Sequence, residues 1–339
     1  MIDDIDRRII HALGYDIRMP FAKIGAALGM AEQTVARRYQ AMVRGGVLQC
    51  TALIDSLALG VSQAILRITP VPGSGATLAS ALGRHPDMSW VNLTSSQVMA
   101  VHRPKSATER DQMVTDQLPK TSLVQSISSH TVVRRYPLGA RMPSFPELFS
   151  PDQIDGLKEV AEERFSVITE RERDERSRRA TLQLDADDQK LVTMLEGDAR
   201  LSYAKIADNL GWTPARAAGR LRELVDSGVV YLDLDVSLPQ LGVTLAAIIW
   251  GKVPVRHLDA AGSAVGSLPE VPFVCATTGT TNLMASALCR DTSHLYEVMT
   301  AGFGDLAGVD DIEVTPVVRQ IKQARAFVNG GRVQRVAMF

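Results

Sequence analysis

The sequence has few cysteines, few aromatic residues and almost no net charge. Its three cysteines, Cys50, Cys275 and Cys289, form no CxxC pair, and their odd number leaves one unpaired under any disulfide scheme. This usage fits a reducing compartment, and all three cysteines are interpreted as small core residues. A formal net charge of −1 gives no overall attraction to nucleic acid or acidic lipid, so contact with a polyanion needs a local patch.

Long hydrophobic runs are also missing. The most apolar run, residues 241–250, has about half the ~20 residues that cross a bilayer. The N-terminus lacks the basic start and apolar core of a secretory signal. We therefore expect a cytoplasmic protein without a membrane partner. Its 339 residues, 45% hydrophobic and 22% charged, are typical of a globular chain with two or more domains.

One stretch of about sixty residues occurs twice. At a shift of 182 residues, residues 3–60 align with residues 185–242 without a gap. This period is far longer than the roughly 20–50 residues of solenoid repeats, so the sequence indicates a duplicated whole protein. Matched pairs include Asp3 with Asp185, Leu13 with Leu195, Arg18 with Arg200, Ile24 with Ile206, Gly29 with Gly211, Arg38 with Arg220 and Gly46 with Gly228.

Each copy predicts three helices and a strand. In the first copy, Ile5, Ile9 and Leu13 place an apolar stripe behind an acidic helix start, and a second, short helix ends at Gly29. A third helix is predicted from about residue 31 to residue 44, and residues 47–55 alternate as a strand. This order is typical of a winged helix-turn-helix. The inward positions of the third helix are Val35, Tyr39 and Met42.

The outward face of the third helix carries residue types that suit DNA. Glutamine and arginine pair with base edges, and arginine also binds phosphates. The alternative is a generic three-helix core whose charged face is only solvated. The candidate DNA contacts are Gln33, Thr34, Ala36, Arg37, Arg38, Gln40 and Arg44 in the first copy and Thr213, Arg216, Arg220 and Arg222 in the second.

The first copy carries the sequence Asp3-Asp4-Ile5-Asp6, then Arg18, Lys23-Ile24, Leu28-Gly29, Thr34-Val35, Arg37-Arg38, Gly45-Gly46-Val47 and Leu59-Gly60. In this order the chain resembles the DNA-binding half of the Lrp/AsnC (feast/famine) transcription regulators. The resemblance implies that each copy continues into a ferredoxin-like βαββαβ half, of the RAM or ACT type, that dimerises and senses small molecules. The expected fold class is therefore α+β, with two winged helix-turn-helix domains and two ferredoxin-like domains in tandem.

The resemblance also implies the partners. They are double-stranded DNA, a small effector such as an amino acid or related metabolite, and further copies of the chain in a homo-oligomer. No cofactor, metal or catalytic residue is expected. The expected domains are residues 1–60 and 182–242 for DNA binding, 61–137 and 243–327 for sensing, 138–181 as a linker with a solvated charged helix, and 328–339 as a C-terminal tail.

The two copies differ in charge. Residues 3–60 contain seven basic and six acidic residues, whereas residues 185–242 contain six basic and ten acidic residues. Because phosphate neutralisation supplies much of DNA affinity, we expect the first copy to bind DNA more strongly. In the second copy Thr213 is a good N-cap before Pro214, but Gly219 weakens the middle of the helix by about 1 kcal/mol relative to alanine.

The family's effector loop lies between the second and third strands of the sensing half. Here it resembles a turn rich in hydroxyl groups and backbone donors in the second copy, while the first copy lacks the glycine. Neither copy has the acidic residue that usually follows that glycine, and a plain β-hairpin turn is the alternative interpretation. The candidate effector contacts are Ser95, Ser96, Gln97, Thr278, Gly279, Thr280, Thr281 and Asn282.

Two other functions compete with regulation. Fused Lrp/AsnC-like proteins include the sirohaem decarboxylases, which use histidine and arginine near a bound tetrapyrrole. The other alternative is a dimerisation platform whose helix-turn-helix modules no longer bind DNA. The sequence also leaves open whether the sensing halves pair within one chain or between chains. The residues that suit the enzyme hypothesis are His102, Arg103, His130, Arg134 and Arg135.

Overall fold

The computed structural model describes residues 2–136, 149–164, 184–304, 306, 308–309 and 311–334. Each copy begins with a helical head, as the sequence predicts. Head 1 consists of α1 (Asp4–Tyr15), α2 (Phe21–Leu28), α3 (Glu32–Arg44) and β1 (Leu48–Ile54). Head 2 consists of α7 (Ala186–Gly197), α8 (Tyr203–Leu210), α9 (Pro214–Asp226) and β6 (Val230–Val236).

Side-chain caps explain where the first helix of each head begins. The Asp3 carboxylate accepts a hydrogen bond from the backbone N–H of Asp6 at 2.9 Å, and the Asp6 side chain accepts one from the N–H of Asp3. Asp185 and Asp188 repeat this reciprocal arrangement in head 2. Each pair satisfies two N–H groups that a helix start leaves unbonded.

The strand that follows each third helix pairs with the strand of the other head. β1 and β6 run antiparallel, from Leu48 opposite Val236 to Ile54 opposite Val230. Leu234 and Val236 are buried in the core of head 1, and Ala52 is buried in the core of head 2. Leu48 of β1 and Val230 of β6 are buried in the cores of their own heads, so the two heads share their cores through this ribbon.

Two βαββαβ halves follow the heads, and the helices α5 and α11 each continue into a π-helical turn. Half 1 consists of β2 (Ala64–Pro70), α4 (Gly75–Arg84), β3 (Met88–Thr94), β4 (Val98–His102), α5 (Ala107–Gln112) and β5 (Val124–Arg135). Half 2 consists of β7 (Leu245–Lys252), α10 (Val255–Gly266), β8 (Phe273–Thr277), β9 (Leu283–Cys289), α11 (Thr292–Glu297) and β10 (Asp311–Lys322).

The two halves join within one chain. Half 1 has the strand order β5-β2-β4-β3 and half 2 the order β10-β7-β9-β8, and both are fully antiparallel. The edge strand β3 pairs with β10, and β5 pairs with β8, so the eight strands form a closed circuit. Ile65, Ile248 and Trp250 are buried between the halves. The question that the sequence left open is thus answered in favour of pairing within the chain.

The linker and the C-terminus contain structure that the sequence analysis did not predict. Helix α6 (Pro151–Arg164) lies in the predicted linker and buries Leu157 and Ala161 in the core of head 1. The predicted charged helix at residues 170–176 lies outside the described residues. At the C-terminus, β11 (Phe327–Asn329) and β12 (Arg332–Gln334) form a hairpin in place of the expected tail.

Candidate nucleic-acid interface and effector site

The third helix of head 1 presents a polar and basic outer face. Val35, Tyr39 and Met42 are buried, as predicted. Gln33, Arg37, Gln40 and Arg44 are exposed, whereas Thr34 and Ala36 are half-buried. No acidic side chain in the described part of the chain pairs with Arg37 or Arg44. The face therefore offers glutamine and arginine side chains to a partner at the positions that the sequence predicts.

Arg38 and Arg220 form ion pairs inside their own heads. The Arg38 guanidinium lies 2.9 Å from both the Asp3 and Asp6 carboxylates, which cap the first helix of head 1. Arg220 binds Asp188 at 2.5 Å and also Glu223 in head 2. Hydrogen bonds to these carboxylates raise the pKa of both arginines. These two arginines connect the third helix to the first within each head, and their DNA contact stays a prediction.

The outer face of α9 in head 2 is of mixed charge. Arg216 and Arg222 are exposed, but Glu223 is exposed beside them, and Asp226 replaces the arginine found at position 44 of head 1. Thr213 acts as the predicted N-cap, since its hydroxyl accepts a hydrogen bond from the N–H of Arg216 at 3.2 Å. The Arg216 guanidinium lies over the Trp212 ring, 4.4 Å from its centroid. The two outer faces are therefore chemically unlike.

A reciprocal pair of arginines fixes the two heads to each other. Arg18 of head 1 donates to the carbonyl oxygens of Ala199 and Leu201 in head 2. Arg200, its counterpart in the repeat, donates to the carbonyl oxygens of Ile17 and Met19, at 2.6 and 3.0 Å. Each guanidinium also lies over an aromatic ring of the other head. Together with the β1–β6 ribbon, these contacts set the spacing of the two third helices.

The two predicted effector turns lie where the halves join. Residues 95–97 connect β3 to β4 beside β10, with Thr94 opposite Val317. Residues 278–282 connect β8 to β9 beside β5, with Thr277 opposite Val132. Ser95, Ser96, Thr280 and the backbone of Gly279 are exposed. The hydroxyl of Thr278 accepts a hydrogen bond from the N–H of Thr131, and the side chain of Asn282 binds the backbone of Val253.

Three side chains that sequence reasoning did not assign to an effector site connect these turns. The Arg67 Nε donates to the Gln97 Oε1 at 3.1 Å, and its guanidinium lies 5.2 Å from the centroid of the Trp250 ring. The His130 ring lies 4.8 Å from the Trp250 ring, and its Nδ1 is 2.9 Å from the Thr278 carbonyl oxygen. Glu313 pairs with Arg67 at 2.5 Å.

The Arg67–Trp250–His130 cluster could not be found from sequence spacing, because its members come from strands β2, β7 and β5 of two different halves. The Trp250 indole N–H is buried and has no hydrogen-bond partner among the described residues. Gly279 adopts φ +116°, and a methyl group there would lie 2.7 Å from the His130 Nδ1. A glycine is therefore required where this turn meets the cluster.

The residues that suit the enzyme hypothesis do not converge. His102 is buried in half 1, and neither ring nitrogen has a partner among the described residues. Arg103 binds Tyr231 and the Ile54 carbonyl, while His130 lies against Trp250. Arg134 pairs with Asp259 at 2.9 Å, and Arg135 pairs with the buried Asp55 at 2.6 Å. Arg103, Arg134 and Arg135 thus each make a different structural contact, whereas the ring nitrogens of His102 make none among the described residues.

Metal sites and membrane-spanning helices are both absent from the described part of the chain. No group of three or more histidine, cysteine or carboxylate side chains is placed to hold a metal ion within the described part of the chain. None of the helices in that part is long and apolar enough to span a membrane.

Comparison with known protein families identifies the domains. The AsnC-type helix-turn-helix domain matches residues 2–43 and residues 184–225, which are the helices of the two heads. The Lrp/AsnC ligand binding domain matches residues 247–327, which cover half 2. The domains define a helix-turn-helix regulator architecture. The chain belongs to the Lrp/AsnC family and carries its family unit in tandem.

Individual relatives match about one family unit. The transcriptional regulator Ptr1 of Methanocaldococcus jannaschii is 24% identical over 41% of this chain and 95% of its own length. The regulatory protein AsnC of Escherichia coli K12 is 27% identical over 41% of this chain and 96% of its own length. The crystal structure of the siroheme decarboxylase NirDL matches 95% of this chain and 93% of its own, with a TM-score of 0.60 and 14% identity. That likeness concerns the fold.

Proposed function

We propose that this protein is a DNA-binding transcriptional regulator with two unlike heads in one chain. The observation that carries the proposal is the outer face of α3. Arg38 is turned inward and pairs with Asp6 inside head 1. Arg37 and Arg44 are exposed, so these two arginines are available to a partner. The relative Ptr1 is named a transcriptional regulator and AsnC a regulatory protein, which supports the same function.

The electrostatics favour head 1 as the stronger DNA contact. Its third helix has Arg37 and Arg44 outward and only Glu32 at its acidic start, whereas α9 has Glu223 and Asp226 near its C-terminal end. A phosphate backbone attracts the first face and is partly repelled by the second. We propose that both heads contact DNA and that head 1 supplies most of the affinity.

The test is a binding titration with double-stranded DNA. We compare Arg37→Ala/Arg44→Ala in head 1, Arg216→Ala/Arg222→Ala in head 2 and a matched control, Arg290→Ala/Arg256→Ala, in which two exposed arginines of half 2 are removed. We expect affinity to fall most for the head 1 variant, less for the head 2 variant and little for the control. Equal affinity for the wild type and all three variants would reject the heads as the DNA interface.

We further propose that a small anionic or zwitterionic metabolite, such as an amino acid, binds beside the two turns. Arg67 and Glu313 provide one cation and one anion 2.5 Å apart at the seam, with the exposed hydroxyls of Ser95, Ser96 and Thr280 on the neighbouring turns. Binding where β3 pairs with β10 would move these two strands against each other. We propose that this movement is transmitted to both heads. Tryptophan fluorescence during amino-acid titration tests this, and Arg67→Met must abolish any change that the wild type gives.

A second candidate function is tetrapyrrole chemistry, which is supported by the fold shared with the siroheme decarboxylase over 95% of the chain. The dispersed contacts of His102, Arg103 and His130 weigh against it. Adding sirohaem and recording the visible absorption spectrum separates the two functions. If the protein is a regulator, we expect the spectrum of free sirohaem. A shifted, saturable spectrum together with decarboxylated product would favour sirohaem decarboxylase activity.

A further inference from the structure

The C-terminal hairpin, Phe327–Gln334, lies against the end of the third helix of head 1. The N–H of Val333 donates to the Gly46 carbonyl oxygen at 2.9 Å, two residues beyond the end of α3. Gly46 adopts φ +66°, and a methyl group at this position would lie 2.8 Å from the Val333 carbonyl oxygen. The hairpin therefore packs directly on the backbone that ends α3.

The hairpin is also held to the second head. The Ser237 hydroxyl donates to the Gly331 carbonyl, and Gly331 lies against Pro239. The buried Asp235 carboxylate accepts hydrogen bonds from three successive N–H groups, those of Ala324, Arg325 and Ala326, at 2.9, 3.0 and 2.7 Å. These contacts fix the start of the hairpin to strand β6. The hairpin thus has a defined position relative to both heads.

The hairpin brings one positive charge to head 1. Arg332 is its only charged residue, it is exposed, and no acidic side chain in the described part of the chain pairs with it. A methyl group at position 46 would lie 3.1 Å from the Arg332 Cβ, so Arg332 is next to the end of α3. Exposed Arg44 is the last residue of α3. Arg332 therefore adds an exposed positive charge next to the C-terminal end of α3.

The placement of Arg332 suits a phosphate better than a base. A recognition helix reads base edges along the groove, whereas the end of such a helix and the segments beside it meet the sugar-phosphate backbone. An arginine at this position adds affinity by releasing one condensed counterion, without reading sequence. The corresponding end of α9 carries Glu223 and Asp226, so the basic extension belongs to head 1.

We propose that the C-terminal hairpin is a third DNA-contacting element, in which Arg332 binds a backbone phosphate beside the site of head 1. This inference rests on the proposed DNA-binding function. It assigns a role to the C-terminal segment of the second copy in the DNA contact of the first copy. The two ends of the chain would then act on the same stretch of DNA.

The experiment measures affinity for a mixed-sequence double-stranded DNA fragment over a series of salt concentrations. The proteins are the wild type, Arg332→Ala, Arg37→Ala and the matched control Arg290→Ala, all full-length. The slope of log affinity against log salt counts the counterions released, and losing one phosphate contact makes it shallower by about one. We expect this change for Arg332→Ala and no change for Arg290→Ala.

Three results would overturn the inference. If Arg37→Ala weakens binding while the slope for Arg332→Ala equals that of the wild type, the hairpin contact fails and the proposed function stands. If Arg332→Ala weakens binding to some sequences only, Arg332 reads bases and the phosphate contact fails. If the wild type shows no salt-dependent binding to DNA, both the contact and the proposed function fail.

Discussion

At the scale of single residues, the repeated arginines carry more structural than DNA-binding roles. Arg18 and Arg200 align in the repeat, and so do Arg38 and Arg220. The first pair reaches from one head to the backbone of the other, and the second pair stays inside each head. The arginines that are present in both copies thus make structural contacts that both copies share. The exposed arginines proposed to contact DNA, Arg37 and Arg44, are not repeated in the second copy.

The contact between the heads predicts a large effect at Arg200. Replacing Arg200 with methionine leaves the carbonyl oxygens of Ile17 and Met19 without their buried donor. Because hydrogen bonds from charged donors are stronger than neutral ones, we expect the free energy of unfolding to fall by about 3 kcal/mol in urea denaturation. The exposed control Arg290→Met should change it by less than about 0.5 kcal/mol. Equal losses would contradict this role.

The buried His102 predicts acid sensitivity. Burial, with a smaller contribution from His85, lowers the pKa of His102 to about 4, below its usual 6.5. The folded state therefore disfavours the protonated ring, and the resulting stability is complete above pH 6.5 and is lost as the pH falls towards 4. The loss is on the order of 3 kcal/mol.

The measurement is the free energy of unfolding at pH 7 and pH 4 for the wild type and His102→Leu. We expect the wild type to lose more stability than the variant over this interval, because leucine has no proton to take up. Every other titrating group is the same in both proteins. Parallel losses would show that His102 does not titrate in the folded protein as its surroundings indicate.

At the scale of elements, the local patterns of the sequence predicted the helices well. The apolar stripe at Val35, Tyr39 and Met42 is the buried face of α3, and Thr213 caps α9 as expected. These features depend on neighbours within one turn or one strand. The strand partners could not be predicted, because an alternating pattern shows which face is buried and not which strand lies beside it. The pairing of β1 with β6 across the two heads is such a case.

The candidate site shows the same limit. The turns at residues 95–97 and 278–282 were identified from their composition and the family resemblance. Arg67, Trp250 and His130 were missed as their companions, because they meet only when the two halves close against each other. The hairpin at residues 327–334 was missed for a similar reason. Its short strands carry little periodicity, and its position depends on contacts with Gly46 and Ser237.

Glycine in the middle of α9 gives a prediction at this scale. Gly219 is exposed, and nothing lies within 4 Å of a methyl group placed there. We expect Gly219→Ala to raise the free energy of unfolding by about 1 kcal/mol, because alanine restricts the unfolded chain and favours the helix. Gly211→Ala is the matched control, since its φ of +67° strains alanine and should lower stability. If the free energy of unfolding changed in the same direction in both variants, this prediction would be wrong.

At the scale of the whole molecule, one chain contains what two identical subunits would otherwise supply. The closed circuit of eight strands has two seams, β3 with β10 and β5 with β8, and both are made within the chain. The heads are joined by seven opposed residue pairs in the β1–β6 ribbon. Because the copies are no longer identical, the symmetry of the unit is only approximate. The charges on the outer faces of α3 and α9 differ accordingly.

We propose that the two unlike heads of this chain together read one DNA site. The symmetry of a binding site follows the symmetry of the protein that reads it, so two unlike heads require two unlike half-sites. The most direct measurement is the selection of binding sites from a pool of random double-stranded DNA by the purified wild-type protein. We expect the selected DNA to contain two different half-sites at a fixed spacing. Recovery of two identical, inverted half-sites would contradict it.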